Sequence, residues 1–255
     1  PHLPWHVPKK YFDLHPIGKI KLPKHQTNDV DDIPPGGRRM IGDAAKIIRE
    51  SGKWQEAVQG CLAAGSFADD CVGHVLSALN KSAYKDNTVV ILWGDHGYDI
   101  CEKTFAKSAL WQQTTRTPLI IHVPEKLGGN KRNANCKKPV SLIDLYPTLI
   151  ELCGLPKNPK VEGRSIAPLV FDPQKEWPYP ALITHSPHWH GPNHAVRSER
   201  YHYIKYNRGG EELYDMYNDS DQLNNLANKK EFDSIKEELR KWMPKINTPH
   251  FRPKK

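Results

Sequence analysis

Two short runs constrain this chain more than anything else in it: TVVILWG at 88–94 and PLIIHV at 118–123. Both are apolar on the two alternating faces of an extended strand, the pattern of a strand buried between two helical layers. Ahead of them, from Trp54 to about Ala83, Val58, Leu62, Phe67, Val72, Val75, Leu76 and Leu79 recur mostly at three- and four-residue spacing, which predicts an amphipathic helix. Helix, buried strand and second buried strand predict an α/β sheet. In such sheets ligands collect beyond the carboxyl ends of strands, and the first run ends in Asp95 and His96.

The flanks read differently. Residues 1–40 carry Pro1, Pro4, Pro8, Pro16, Pro23, Pro34 and Pro35, a density that excludes a long helix or a central strand and predicts an extended opening. In VSLIDLYPTLIELCGLP, Asp144 is the expected N-cap of a short helix, Pro147 sits in its first turn, and Gly154 with Pro156 stops it. A proline-rich connection, GRSIAPLVFDPQKEWPYP, then gives way to short strands at ALITH, NHAVRSE, YHYIKY and LYD, with a turn at NRGGEE. These predict a small antiparallel sheet. KKEFDSIKEELRKWM reads as a closing helix with Phe232, Ile235, Leu239 and Trp242 on one side. The expected division is residues 1–175, part of an α/β domain, and residues 176–255, a small α+β subdomain.

Charge narrows the class of partner. A net charge of +8 favours an anionic one, or simply keeps a basic surface soluble. No RNA-binding signature, zinc-finger spacing or long Lys/Arg block is present, so nucleic acid is not the expected partner, and among anionic polymers sulfated glycans remain open. Cys61, Cys71, Cys101, Cys136 and Cys153 form no C-x-x-C pair, which argues against a zinc site or a disulfide framework and leaves room for one bridge. No run of about 18 apolar residues predicts a membrane span. The opening PHLPWHVPKK has the form of neither a signal peptide nor a Met-initiated terminus, so the expectation is a piece of something longer. Two short glycosylation sequons, at Asn80 and Asn218, occur as often by chance.

Asp95, His96 and Gly97 could form a capped turn. A carboxylate beside a buried strand is costly unless matched, and a divalent cation is one match: oxygen ligands favour Ca²⁺ or Mg²⁺, imidazole leans toward Zn²⁺ or Mn²⁺. Lys107, in the stretch that returns to the second apolar run, could stabilise a metal-bound anion, with Lys103 as its local competitor. His185, His188, Trp189, His190 and His194 cluster in HSPHWHGPNH, where His188, Trp189 and His190 could line a sugar pocket, or belong to a surface loop rich in histidine.

NTVVILWGDHG, the lysine-bearing stretch ending RTPLIIHVP, VSLIDLYPTLIELCGLP followed by VEGRSIAPL, AVRSERYHYIKY and ELYDMYNDSDQLNNLAN stand in an order that resembles the C-terminal half of a type I sulfatase of the alkaline-phosphatase superfamily. The opening PHLPWHVPKKYFDLHP is similar to the segment of iduronate-2-sulfatase-like members. The resemblance implies an alkaline-phosphatase-like α/β sandwich with a small C-terminal antiparallel sheet and helix. It implies hydrolysis of a sulfate ester on Ca²⁺, with Mg²⁺ or another divalent ion as the alternative, by a formylglycine made from Cys or Ser in C/S-x-P-S-R. Asp95 and His96 match the family's second pair of metal-site residues, Lys107 the lysine that touches sulfate or nucleophile, and His2 the histidine near the leaving oxygen, where a general acid works. A secreted, periplasmic or lysosomal location is implied too.

The departures are equally specific. No C/S-x-P-S-R occurs, and the family's first aspartate pair has no counterpart, Asp31–Asp32 lying in a proline-rich loop and Asp69–Asp70 on a helix. After Asp95-His96-Gly97, Cys101 stands where Gly is frequent. Three readings follow: a sulfatase part whose nucleophile lies on an N-terminal polypeptide or missing segment, a truncated non-catalytic glycan-binding protein, or a metal-dependent phosphodiesterase or phosphomutase of the same superfamily.

Overall fold

A computed structural model describes residues 2–129, 133–186 and 191–247. The opening segment is mostly irregular, interrupted by α1 (Lys9–Asp13) and α2 (Pro35–Arg38), and leads through α3 (Ala44–Glu50) into the long α4 (Trp54–Lys81). There follow β1 (Val90–Trp93), a hairpin of β2 (Asp99–Ile100) and β3 (Phe105–Ala106), α5 (Gln112–Thr115), β4 (Leu119–His122), α6 (Leu145–Leu152) and α7 (Ala167–Phe171). The chain then builds β5 (Ala181–His185), β6 (Asn193–Arg197), β7 (Tyr201–Lys205) and β8 (Glu211–Asp215), and closes with α8 (Asp233–Arg240).

The two apolar runs are strands, as their pattern requires, but they are not enclosed. β1 and β4 pair antiparallel as a two-stranded sheet, Leu92 opposite Ile120 and Trp93 opposite Leu119. Among the described residues no second layer covers this pair, and Leu92, Trp93 and Ile120 are 37%, 51% and 58% exposed. The antiparallel pairing follows from the intervening hairpin and α5, which return the chain alongside β1 with Gly94 N–H donating to Pro118 O at 3.1 Å. α4 shows the same contrast along its length. Val58, Ala63 and Ala64 are buried in its first half, whereas Val75 and Leu76 further on are exposed.

The small antiparallel sheet is present as predicted, in the order β5-β6-β7-β8 with every pair antiparallel. Successive side chains point to opposite faces, so neighbours in sequence serve two cores. Ala195, Ile204 and Tyr214 pack with Ile33 and Ala109–Trp111, while Val196, Tyr203 and Leu213 pack with Ala227 and Leu239 of α8. Phe232, Ile235 and Met243 join the second cluster. Trp242 does not: it stands 39% exposed against Tyr179, two residues past the end of α8 where its direction leaves the apolar stripe.

α6 also departs in detail. Asp144 makes no side-chain cap on α6. Its carboxylate is the distal half of a capping box with Ser141 around the preceding 3-10 turn, and also accepts Arg164 N–H at 2.8 Å. The predicted stop is present as a Schellman motif: Gly154 at φ +62° donates to Glu151 O, and Leu155 N–H to Ile150 O. All five cysteines are free thiols, and among the described residues no helix is long and apolar enough to cross a membrane.

Candidate active site

The turn after β1 is held by close backbone packing. At Gly97 a Cβ would lie 2.1 Å from Gln113 O and 2.5 Å from Arg116 O, so only glycine lets the turn seat against α5. Gly97 N–H donates to Thr114 O at 2.9 Å. Two residues earlier Asp95 projects into solvent, its side chain 85% exposed, and its Oδ1 accepts the backbone N–H of His96. The His96 ring bonds Gly97 O through Nδ1 at 2.7 Å. Because a carbonyl only accepts, Nδ1 carries a proton, so Nε2 is the ring nitrogen left to face a metal. That Nε2 lies 3.4 Å from Asp95 Oδ2. Two donor atoms converge, but among the described residues no group of three His, Cys, Asp or Glu gathers around one point.

The β2–β3 hairpin carries the lysines and decides between them. Asp99 is fully buried, and its Oδ1 accepts the backbone N–H groups of Glu102, Lys103 and Thr104. Burial, reinforced by the nearby Glu102 carboxylate, pushes Asp99 up to about 8. Cys101 at the tip is buried with φ +72°, a left-handed conformation that explains physically why glycine suits this position. Lys103 is buried as well: its Nζ lies 2.6 Å from Asp29 Oδ1, and both side chains are 1% exposed. It cannot reach a substrate. Lys107, just past β3, is exposed, and its Nζ lies 3.1 Å from His2 Nε2.

His2 reaches Lys107 because the opening segment is pinned to the hairpin. The Trp5 ring meets Tyr98 and Phe105 edge to face, each with centroids 6.1 Å apart, and Tyr98 meets Phe105 at 5.3 Å. The same indole lies against α4 at Gly60. Trp5 was not singled out in the sequence, although an aromatic in a proline-rich segment is the available signal. His2 Nδ1 bonds Leu3 O at 2.5 Å, which puts the proton on Nδ1 and leaves Nε2 to accept from Lys107. The fold thus joins His2 with Lys107 and Asp95 with His96. His188, Trp189 and His190 lie outside the described residues.

Beneath the hairpin sits a second set of polar groups that no motif flagged. Glu212, fully buried on β8, accepts the Trp111 indole N–H at 2.8 Å and the hydroxyls of Tyr206 and Tyr214. Burial raises its pKa against the pull of those donors and of Lys103. Lys103 Nζ stands 6.0 Å from the Trp111 ring centroid and 5.9 Å from that of Tyr214. Lys103 and Trp111 flank Lys107 in sequence, so both ends of its segment are anchored in the core.

The family model described as Sulfatase matches residues 1–155, and that described as N-sulphoglucosamine sulphohydrolase, C-terminal, matches 94–248. The chain belongs to the sulfatase family. A sulfatase of Formosa agariphila is 38% identical over 97% of this chain, which spans 48% of that relative. Among solved structures, a 2-O GAG sulfatase superposes with a TM-score of 0.70 at 22% identity, over 92% of this chain and 56% of that one. A phosphonate monoester hydrolase of Silicibacter pomeroyi gives 0.78 at 20% identity, over 94% and 53%. These likenesses establish the alkaline-phosphatase-like fold, and the chain spans about half the length of the first relative it matches.

Proposed function

We propose that this chain supplies the C-terminal half of a sulfatase active site that hydrolyses sulfate esters of a sulfated glycan. The observation that carries the reading is the meeting of Lys107 and His2, 105 residues apart in sequence and 3.1 Å apart in space, on the same hairpin region that follows Asp95 and His96. The family model named for an N-sulphated glucosamine supports a sulfated amino sugar as the substrate class.

In this reading Lys107 and His2 share a sulfate group. The ammonium donates to a sulfate oxygen and stabilises charge that grows there as the ester bond breaks. With its ring protonated, His2 keeps Nδ1–H on Leu3 O and presents Nε2–H to the bridging oxygen, so the departing alcohol leaves neutral. Asp95 Oδ2 and His96 Nε2 are the groups that would hold a divalent cation, Ca²⁺ in the first instance, whose charge binds the sulfate. The remaining metal ligands and a formylglycine, which would supply the nucleophile, belong to an N-terminal polypeptide or segment. The uncovered faces of β1–β4 and of the second half of α4 are where such a part would add its layer. The division near residue 175, an iduronate-2-sulfatase-like branch, and a secreted, periplasmic or lysosomal location belong to the same reading.

The test is sulfate release from a sulfated glucosamine by protein isolated from its source, before and after calcium chelation. Hydrolysis that is lost on chelation and restored by calcium is expected. Release of phosphate from phosphate esters but no sulfate would place the chain in the phosphodiesterase branch, and no hydrolysis of either would favour a glycan-binding role.

A further inference from the structure

A second cluster of chemistry-bearing side chains is assembled from segments that contain none of Asp95, His96, Lys107 or His2. The loop between α6 and α7 fixes the base of Arg164, whose backbone N–H donates to the buried Asp144 carboxylate at 2.8 Å. Two residues on, Ile166 N–H donates to Thr148 Oγ1 at 2.9 Å, so Arg164 is tied on one side to the turn before α6 and on the other to α6 itself. From that base the guanidinium lies 4.5 Å from the centroid of Tyr179, on the connection before β5, and 5.9 Å from that of Trp242, beyond α8. Trp177 meets Tyr179 at 5.0 Å and 77°, and Tyr179 meets Trp242 at 6.0 Å and 90°.

A guanidinium this close to an aromatic ring is held there by cation–π attraction and keeps N–H groups for a further partner. Arg164 is exposed, and among the described residues no carboxylate pairs with it. The same loop carries exposed Lys157 and Lys160 against a single acid, Glu162. Planar donors suit a sulfate or carboxylate bidentately, and the partly exposed Trp177 and Trp242 offer apolar faces to the C–H side of a sugar ring. We propose that Arg164, Tyr179, Trp242 and Trp177 form an accessory subsite for an anionic sugar of the glycan chain. The choice of ligand rests on the sulfated-glycan reading above; the platform itself rests on its own geometry.

The experiment measures binding of the full chain to heparin, with dextran as the neutral control. Arg164→Gln and Trp242→Ala are each expected to weaken heparin binding roughly ten-fold, with unchanged far-UV circular dichroism. Arg164→Lys, which keeps the charge and removes the planar fork, is expected to lose most of that affinity too. Parent-like binding by Arg164→Lys and Trp242→Ala would overturn the proposal and assign binding to the general basic surface. So would a parent chain that does not bind heparin at all. Because the readout is binding, a protein that loses heparin through these variants yet never releases sulfate contradicts the sulfatase reading and supports the subsite.

Discussion

Replacing Lys103 with methionine is expected to lower the unfolding free energy by about 3–5 kcal/mol, the usual cost of removing one partner of a buried ion pair. The pair is enclosed: Lys103 Nζ and Asp29 Oδ1 are 2.6 Å apart with both side chains 1% exposed. Methionine fills similar volume, so the loss is electrostatic. It strands Asp29, whose burial already raises its pKa against the pull of Lys103, and removes a cation whose charge acts on the buried Glu212. Urea denaturation of parent and variant measures the difference, and Lys103→Met combined with Asp29→Asn should recover a substantial part of it. A single-variant loss below about 1 kcal/mol would be that of a solvent-screened pair and would contradict enclosure.

Lys107→Ala should behave in the opposite way. Lys107 is exposed, so the substitution is expected to leave stability within about 0.5 kcal/mol. In the assembled enzyme it should cut turnover by roughly 10²–10³-fold, about 3–4 kcal/mol of lost charge stabilisation. Steady-state kinetics on a sulfate ester separate the two lysines: Lys103 variants fail by unfolding, Lys107 variants by slow chemistry in a folded protein. Near-normal turnover by Lys107→Ala would remove it from the mechanism.

The contrast between these lysines also marks what the sequence could convey. Both are lysines in a polar hairpin, and nothing local distinguishes them. The partner that buries Lys103 lies 74 residues away in the opening segment, beyond the reach of any periodicity. The small sheet was legible because its short strands are separated by strong turns, and α4 because its apolar spacing persists through a helix of 28 residues. The β1–β4 pair was legible as strands, but among the described residues it is not enclosed as its pattern predicted. An apolar run looks the same whether its neighbour is parallel or antiparallel, and it records a demand for cover rather than the cover itself. Asp144 was recognised as a capping residue but assigned to the wrong end of its box, since Ser141 and Asp144 satisfy one another reciprocally. Cys101 was marked as occupying a glycine position, and its φ of +72° supplies the reason.

We propose that Asp95, His96, Lys107 and His2 are part of a site completed by another stretch of polypeptide. The intact mass of the protein from its source under denaturing conditions tests it most directly. The account predicts a heavier chain or a second polypeptide containing C/S-x-P-S-R, with a loss of about 18 Da where a cysteine has become formylglycine. A single species at the 29.1 kDa of this chain would contradict it.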